Sequence, residues 1–264
     1  MLTAVKNQMK VSLLSIKYAL QREMLNKVTF FSNIIFMILN NSCFIIQWLL
    51  LYSIRNEVGG YTFKKILIMW ALAAGTYGIA HFFFKDVFDL SETINTGKLD
   101  AYLIQPKNVL ISCITSSVEV SALGDLLYSY IMLLFFGFSL KNFLFLTFFN
   151  ITGGLILVSI AIIVGSLSFW FGRVETLANT LNSQTTNLAT YPEGIYKGLV
   201  KIIFYTIVPI GFINFIPINI ISSFNLIELI IIITACIAFI SIAFIVFYKG
   251  LKRYCSSNLM NVRM

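Results

Sequence analysis

From Leu226 to Tyr248 the chain reads LIELIIIITACIAFISIAFIVFY, a run whose only charge is Glu228 near its start. About 20 apolar residues in a helix match the thickness of a bilayer's hydrocarbon core. The run does not alternate apolar and polar residues, as a strand of a membrane barrel would. Lipid cannot satisfy free backbone groups, so a spanning helix is predicted. Five further apolar blocks precede it, at residues 28–52, 63–84, 109–138, 143–171 and 200–220. The expected fold is an all-α integral membrane protein with six transmembrane helices, one transmembrane domain over residues 1–264 whose last span covers 226–248.

Composition excludes a water-soluble alternative. The chain is 58% hydrophobic and only 11% charged, against about 45–50% and about 25% in soluble domains. A formal net charge of +8 could suggest nucleic acid, but the basic residues lie between apolar blocks and form no stripe on a soluble fold, so no nucleic-acid partner is expected. Cys43, Cys113, Cys236 and Cys255 are far apart and give neither zinc-site nor disulfide spacing. His81, alone of its kind, has no partner at metal spacing.

The same basic residues set the expected orientation. With the N-terminus inside, the inner segments hold Lys6, Lys10, Lys17, Arg22 and Lys27, then Lys85, Lys98 and Lys107, then Arg173, Lys197 and Lys201, and finally Lys249, Lys252, Arg253 and Arg263. Only Arg55, Lys64, Lys65 and Lys141 fall outside. The positive-inside rule then makes both termini cytoplasmic. The outer hairpins are short, and the inner connections, 85–108 and 172–199, are the longest.

Residues 1–27 carry apolar Val5, Met9, Leu13, Ile16 and Leu20 at spacings of three and four, with lysines largely opposite. They read as an amphipathic helix on the inner leaflet, held by anionic membrane lipids, or as a plain cytoplasmic extension of the first span. In the 85–108 segment Ser91 can start a short helix and Gly97 can end one, before Pro106 stops a second piece. This segment is either a short element that receives force from a cytoplasmic motor or a loop capping the bundle. Residues 249–264 form a cytoplasmic tail.

Inside the apolar blocks, acids are costly and by default functional. Glu119 and Asp125 both fall in 109–138, a block of about 45 Å at 1.5 Å per residue, so Glu119 is expected near the inner interface and Asp125 deeper. Structural hydrogen bonding and handling of a substrate or proton both remain open for them. Small residues Ser117, Ser121, Gly124, Gly153, Gly154 and Gly165 suit close helix packing. Tyr191 and Pro192 precede a fifth block containing Pro209 and ending at Pro217, so that span is expected to be kinked or broken, with Asn214 to Pro217 making a turn near the outer face. These residues suit a gate, or kinks that serve packing alone. No phosphate-binding GxxxxGK[ST] loop occurs anywhere, so no ATPase site and no other enzymatic centre is expected.

The order of these pieces resembles the type-two family of ABC exporter permeases, in the bacterial branch distantly related to daunorubicin-resistance permeases. The stretches GKLDAYLIQPKN, TYPEGIYKG, VPIGFINFIPINI and GLKRYCSSN carry the resemblance. It implies an elbow helix at Thr3–Arg22 and a cytoplasmic coupling helix within 87–102, docking on an ABC ATPase dimer through Asp89, Glu92, Gly97, Lys98, Leu99, Asp100 and Tyr102. It also implies a second permease chain, the same or related, in a bacterial cytoplasmic membrane. The implied activity is ATP-driven export of a hydrophobic or amphipathic substrate (drug, antimicrobial peptide or lipid-like) at a dimer interface. This chain itself would bind no cofactor, ATP–Mg being held by the ATPase. The alternative is an ion-gradient-driven carrier using Glu119 and Asp125.

Overall fold

The computed structural model describes residues 2–206 and 208–255, with side chains from Lys6 onward; the tail reading therefore lies outside the described residues from 256 on. Every named element is helical. Helix α1 is Leu2–Glu23, α2 Lys27–Ile54, α3 Phe63–Phe84, α4 Leu90–Asn95, α5 Asp100–Leu103, α6 Val109–Ile114 and α7 Ser121–Phe136. Then follow α8 Leu140–Ser166, α9 Ser168–Phe171, α10 Glu175–Leu188, α11 Leu199–Thr206, α12 Ile216–Ser222 and α13 Leu226–Leu251. Four of these, α2, α3, α8 and α13, are long and apolar enough to cross a membrane, or five if the bent pair formed by α11 and residues 211–222 counts as one span. Helix α7 is apolar but shorter.

Helix α3 is the centre of the bundle: fourteen of its 22 residues are buried. Its backbone comes close to its neighbours because they lack bulk at the crossings. An added Cβ at Gly78 would meet Leu126 N at 2.8 Å, and one at Gly153 would meet Thr76 Oγ1 at 2.5 Å. Close approach of this kind, rather than expulsion from water, is what holds helices together in lipid. By contrast, only three of 28 residues of α2 are buried, and five of 26 in α13. These two helices present Phe31, Ile35, Phe36 and Leu39, and Ile230, Ile237, Ile242 and Ile245, on the outside of the bundle. Such faces are suited to lipid or to another membrane protein.

Helix α1 docks by Ile16, Ala19 and Leu20 against Phe82, Val118 and Ala122. Gln8 Nε2 donates to Ser112 Oγ at 3.3 Å, and Gln8 Oε1 accepts from the Asn108 N–H at 2.9 Å. Met9, Leu13 and Tyr18 stay exposed.

Two blocks differ from the sequence expectation. Residues 109–138 are not one helix: α6 ends at Ile114, and a non-helical stretch precedes α7. The break is held by tertiary hydrogen bonds, since Ser116 and Ser117 both donate through their hydroxyls to Asp86. The fifth block, 200–220, does not form a straight crossing either. Helix α11 and residues 211–222 meet at 77°, with Pro209 in the break. Asn214 to Pro217 are helical rather than a turn, a π-type turn over Gly211–Phe215 leading directly into α12. Pro217 falls in the first turn of α12, where its missing N–H loses no hydrogen bond.

The larger correction concerns 172–199, expected as an inner connection. Glu175 lies beside Asn95, at the bundle end that carries α4 and α5. The other end of α10 leads to Tyr191, whose ring packs on Trp48, and to Pro192 and Ile195, which touch Gly59 in the loop between α2 and α3. Residues 175–195 thus pass from one end of the bundle to the other, and Lys201, paired with Glu193, and Lys197 sit at the end opposite to the one expected from the sequence. Asn214 Nδ2 donates to the Ala189 carbonyl at 2.5 Å and to the Met69 carbonyl at 3.4 Å. The bent pair is therefore pinned to α3 and to the end of α10, dipping back into the bundle. The helix was missed because it is polar; its wall is made for the cavity described next, not for lipid.

Candidate functional site

A cavity of about 910 Å³ opens between α2, α3 and α10, at the upper end of the roughly 300–1,000 Å³ typical of ligand sites. One wall is aromatic. Phe44 of α2 stacks on Trp70 of α3 with centroids 5.2 Å apart, and Trp48 meets Tyr191 edge-on at 6.3 Å. Tyr77, His81 and Phe88 continue it, the imidazole lying between the two rings at 3.8 Å from each. The facing wall is polar. Asn179, Asn182, Ser183, Thr186 and Asn187 of α10, and Thr190 just beyond it, line it, recurring at three- and four-residue steps, the spacing of one helix face. That periodicity was the available signal for this wall.

The floor carries the acid. Asp125, in the second turn of α7, is 4% exposed and borders the cavity. Asn41 Nδ2 donates to its Oδ1 at 2.6 Å. Its Oδ2 has no hydrogen-bond partner among the described residues. Glu119 lies in the stretch before α7 and does not border the cavity. It faces His81 Nδ1 at 3.2 Å through Oε2 and accepts from Ser121 Oγ at 2.9 Å through Oε1. The two acids thus have separate partners. No group of three or more His, Cys, Asp and Glu able to hold a metal occurs among the described residues.

Of the remaining residues singled out from the sequence, Tyr191 borders the cavity, and Pro192 packs close to Gly59 without lining it. Asn214 and Pro217 are buried in the packing of the bent pair, and Pro209 marks its break. In the 85–108 segment, Asp89, Glu92 and Lys98 are exposed. Lys98 Nζ and Glu92 Oε1 are 2.8 Å apart, and that carboxylate holds the Lys98 ammonium above its ordinary pKa. Gly97 adopts φ +76°, the left-handed conformation that favours glycine and lets the chain turn after α4. Leu99 is fully buried, so it anchors the segment and shows nothing to a partner. Asp100 is half-buried, and the Tyr102 hydroxyl lies 2.9 Å from Ser116 Oγ.

The segment is also fastened to the cavity wall. Asn95 Nδ2 donates to Glu175 Oε1 at 3.2 Å and to the Gly172 carbonyl at 3.4 Å. Ser91 and Ser168 share a hydrogen bond of 2.6 Å. Leu90 packs on Gly165 of α8. Helix α4 is thereby joined to the start of α10, whose next turns form the polar wall.

A family model described as ABC-2 family transporter protein matches residues 24–258, which takes in α2 to α13. No curated protein and no solved structure matches the chain. Apolar helices of spanning length, a cavity between them and a match over most of the sequence converge: this chain belongs to the ABC-2 transporter family and is a multi-pass membrane permease subunit.

Proposed function

We propose that the chain is the membrane half of an ATP-driven exporter, moving a hydrophobic or amphipathic substrate through the α2–α3–α10 cavity. Energy comes from a separate ABC ATPase dimer that binds ATP–Mg and docks on the exposed face of the 85–108 segment, at Asp89, Glu92 and Lys98. The permease itself hydrolyses nothing. A second copy, or a related permease, covers the outward faces. The single observation that carries this reading is the Asn95–Glu175 hydrogen bond, because it joins the segment an ATPase could push to the wall a substrate would touch.

Six crossings are proposed, with α10 as the fifth and the α11–α12 pair as a re-entrant element beside it. The 85–108 end faces the cytoplasm, α1 lies in the inner leaflet on its exposed Met9, Leu13 and Tyr18, and both termini are inside. Moving Lys197 and Lys201 to the outer end leaves thirteen of the nineteen basic residues inside, so the positive-inside rule still holds. The membrane is the cytoplasmic membrane of a bacterium.

The test is co-purification with a candidate ABC ATPase in mild detergent, comparing wild type with Asp89→Ala and Glu92→Ala. The expected result is a complex with wild type that the substitutions weaken or uncouple from ATP hydrolysis. If no ATPase associates, or the variants behave as wild type, the coupling assignment fails. An ion-driven carrier using Asp125 or Glu119 then takes its place.

A further inference from the structure

The floor and walls of the cavity together describe a ligand. Asp125 is almost wholly buried, yet only one of its carboxylate oxygens is hydrogen-bonded within the protein, to Asn41. Among the described residues no lysine or arginine borders the cavity, and the one imidazole that does, His81, turns Nδ1 toward Glu119. A buried carboxylate without an opposing cation is costly in a membrane. A cation beside the carboxyl would offset that cost.

The surroundings decide which kind of cation. A hard metal ion needs six or more oxygens, or a tight set of nitrogen and sulfur ligands. Here the carboxyl is accompanied by aromatic rings: Tyr77, Trp70 and Phe44 on the α2–α3 side and Trp48 with Tyr191 above them. Ring faces attract organic ammonium and similar weakly hydrated cations, and they pack against flat apolar bodies. Asn41 is itself held by α2, its Nδ2 also donating to the Met37 carbonyl at 3.2 Å, so the carboxylate is fixed in place before any ligand arrives.

We infer that the cavity binds an organic cation with an aromatic or otherwise flat apolar body, its positive centre beside the Asp125 carboxyl and its body against Trp48, Trp70 and Tyr77. This names the substrate class of the cavity and rests on the reading of that cavity as the transport route.

Tryptophan fluorescence can test it on the permease alone, without ATPase or nucleotide. The chain has three tryptophans. A Trp170→Phe background leaves Trp48 and Trp70, both on the cavity wall. The probes are tetraphenylphosphonium and tetraphenylborate, which share shape and differ in the sign of their charge. The expected result is a saturable change in emission with the phosphonium ion and none with the borate. Asp125→Asn, which keeps an oxygen for Asn41, weakens phosphonium binding by about tenfold or more, the scale of one desolvated charge pair. Equal binding of the two ions, no saturable binding of either, or unchanged affinity in Asp125→Asn overturns the inference. The comparison of the two ions needs no variant, so it decides the matter even if Asp125→Asn folds poorly. Because no ATPase is present, failure here leaves the exporter reading standing, and failure of ATPase association leaves the cation site standing.

Discussion

Asn150 of α8 occupies the space a side chain on Gly75 of α3 would need: an added Cβ there would lie 2.1 Å from Asn150 Nδ2. The amide goes on to donate to Ser129 Oγ at 2.9 Å, and Ser129 donates to the Ala71 carbonyl at 2.6 Å. One polar knot therefore ties α3, α7 and α8 together at their closest approach. Replacing Gly75 by alanine must push α8 away or break the knot, and overpacking of this kind costs about 1–3 kcal/mol. A lower melting temperature of the purified protein is expected for Gly75→Ala. An unchanged one means that Asn150 moves freely.

The link between α4 and α10 gives a second prediction. Asn95→Ala and Glu175→Ala remove the same hydrogen bond, so in a double-mutant cycle their effects on transport by a reconstituted complex should not add. Each single change should lower transport about threefold to tenfold, as expected for about 0.5–1.5 kcal/mol of one hydrogen bond, with the ATPase still bound. Glu175→Gln keeps an acceptor oxygen and should keep most of the activity. Additive losses would show that the two residues act independently.

Burial separates docking from folding within the 85–108 segment. Leu99→Ala empties a fully buried site and should lower stability by about 2–5 kcal/mol. Glu92→Ala removes only an exposed ion pair, and its melting temperature should match that of wild type. Loss of ATPase binding in Glu92→Ala then reports on docking itself, whereas the same loss in Leu99→Ala reports on a collapsed segment.

The placement of α10 makes a topological prediction. In a cysteine-free background, Lys197→Cys should react with a membrane-impermeant thiol reagent applied to intact cells. Arg173→Cys should react only after the membrane is opened. Labelling of both from the same side would return 172–199 to a connection on one face.

Hydropathy revealed most of the lipid-facing architecture and little of the cavity. Helices α2 and α13 stand out in the sequence because most of their surface lies on the outside of the bundle, where long apolar runs are needed. Helix α10 does not, because Asn179, Asn182 and Thr186 line the cavity and most of its other exposed positions are polar as well, so it has no apolar run to find. The break before α7 was equally hidden, since it depends on Asp86 reaching Ser116 and Ser117 some thirty residues away. Pro209 marked the bend in the fifth block correctly. Pro217 misled, because a proline in a helix's first turn looks the same in sequence as one in a turn. Asp125 was legible as an intramembrane acid, but its partner Asn41 and the rings around it were not, since no local spacing connects α2, α3 and α7.

Helix α2 has few attachments, and several of them cluster near its midpoint. Gly124 lets the Ile34 carbonyl approach closely, Asn41 grips Asp125, and the Tyr128 hydroxyl donates to the Asn41 carbonyl at 3.2 Å. Such a helix is a lever resting on a fulcrum: tilting it moves both ends while the central contacts persist, and the α3–α7–α8 block need not repack. Asp125 is the acid at that fulcrum. A group bound beside its carboxyl would act on the very point about which α2 would turn.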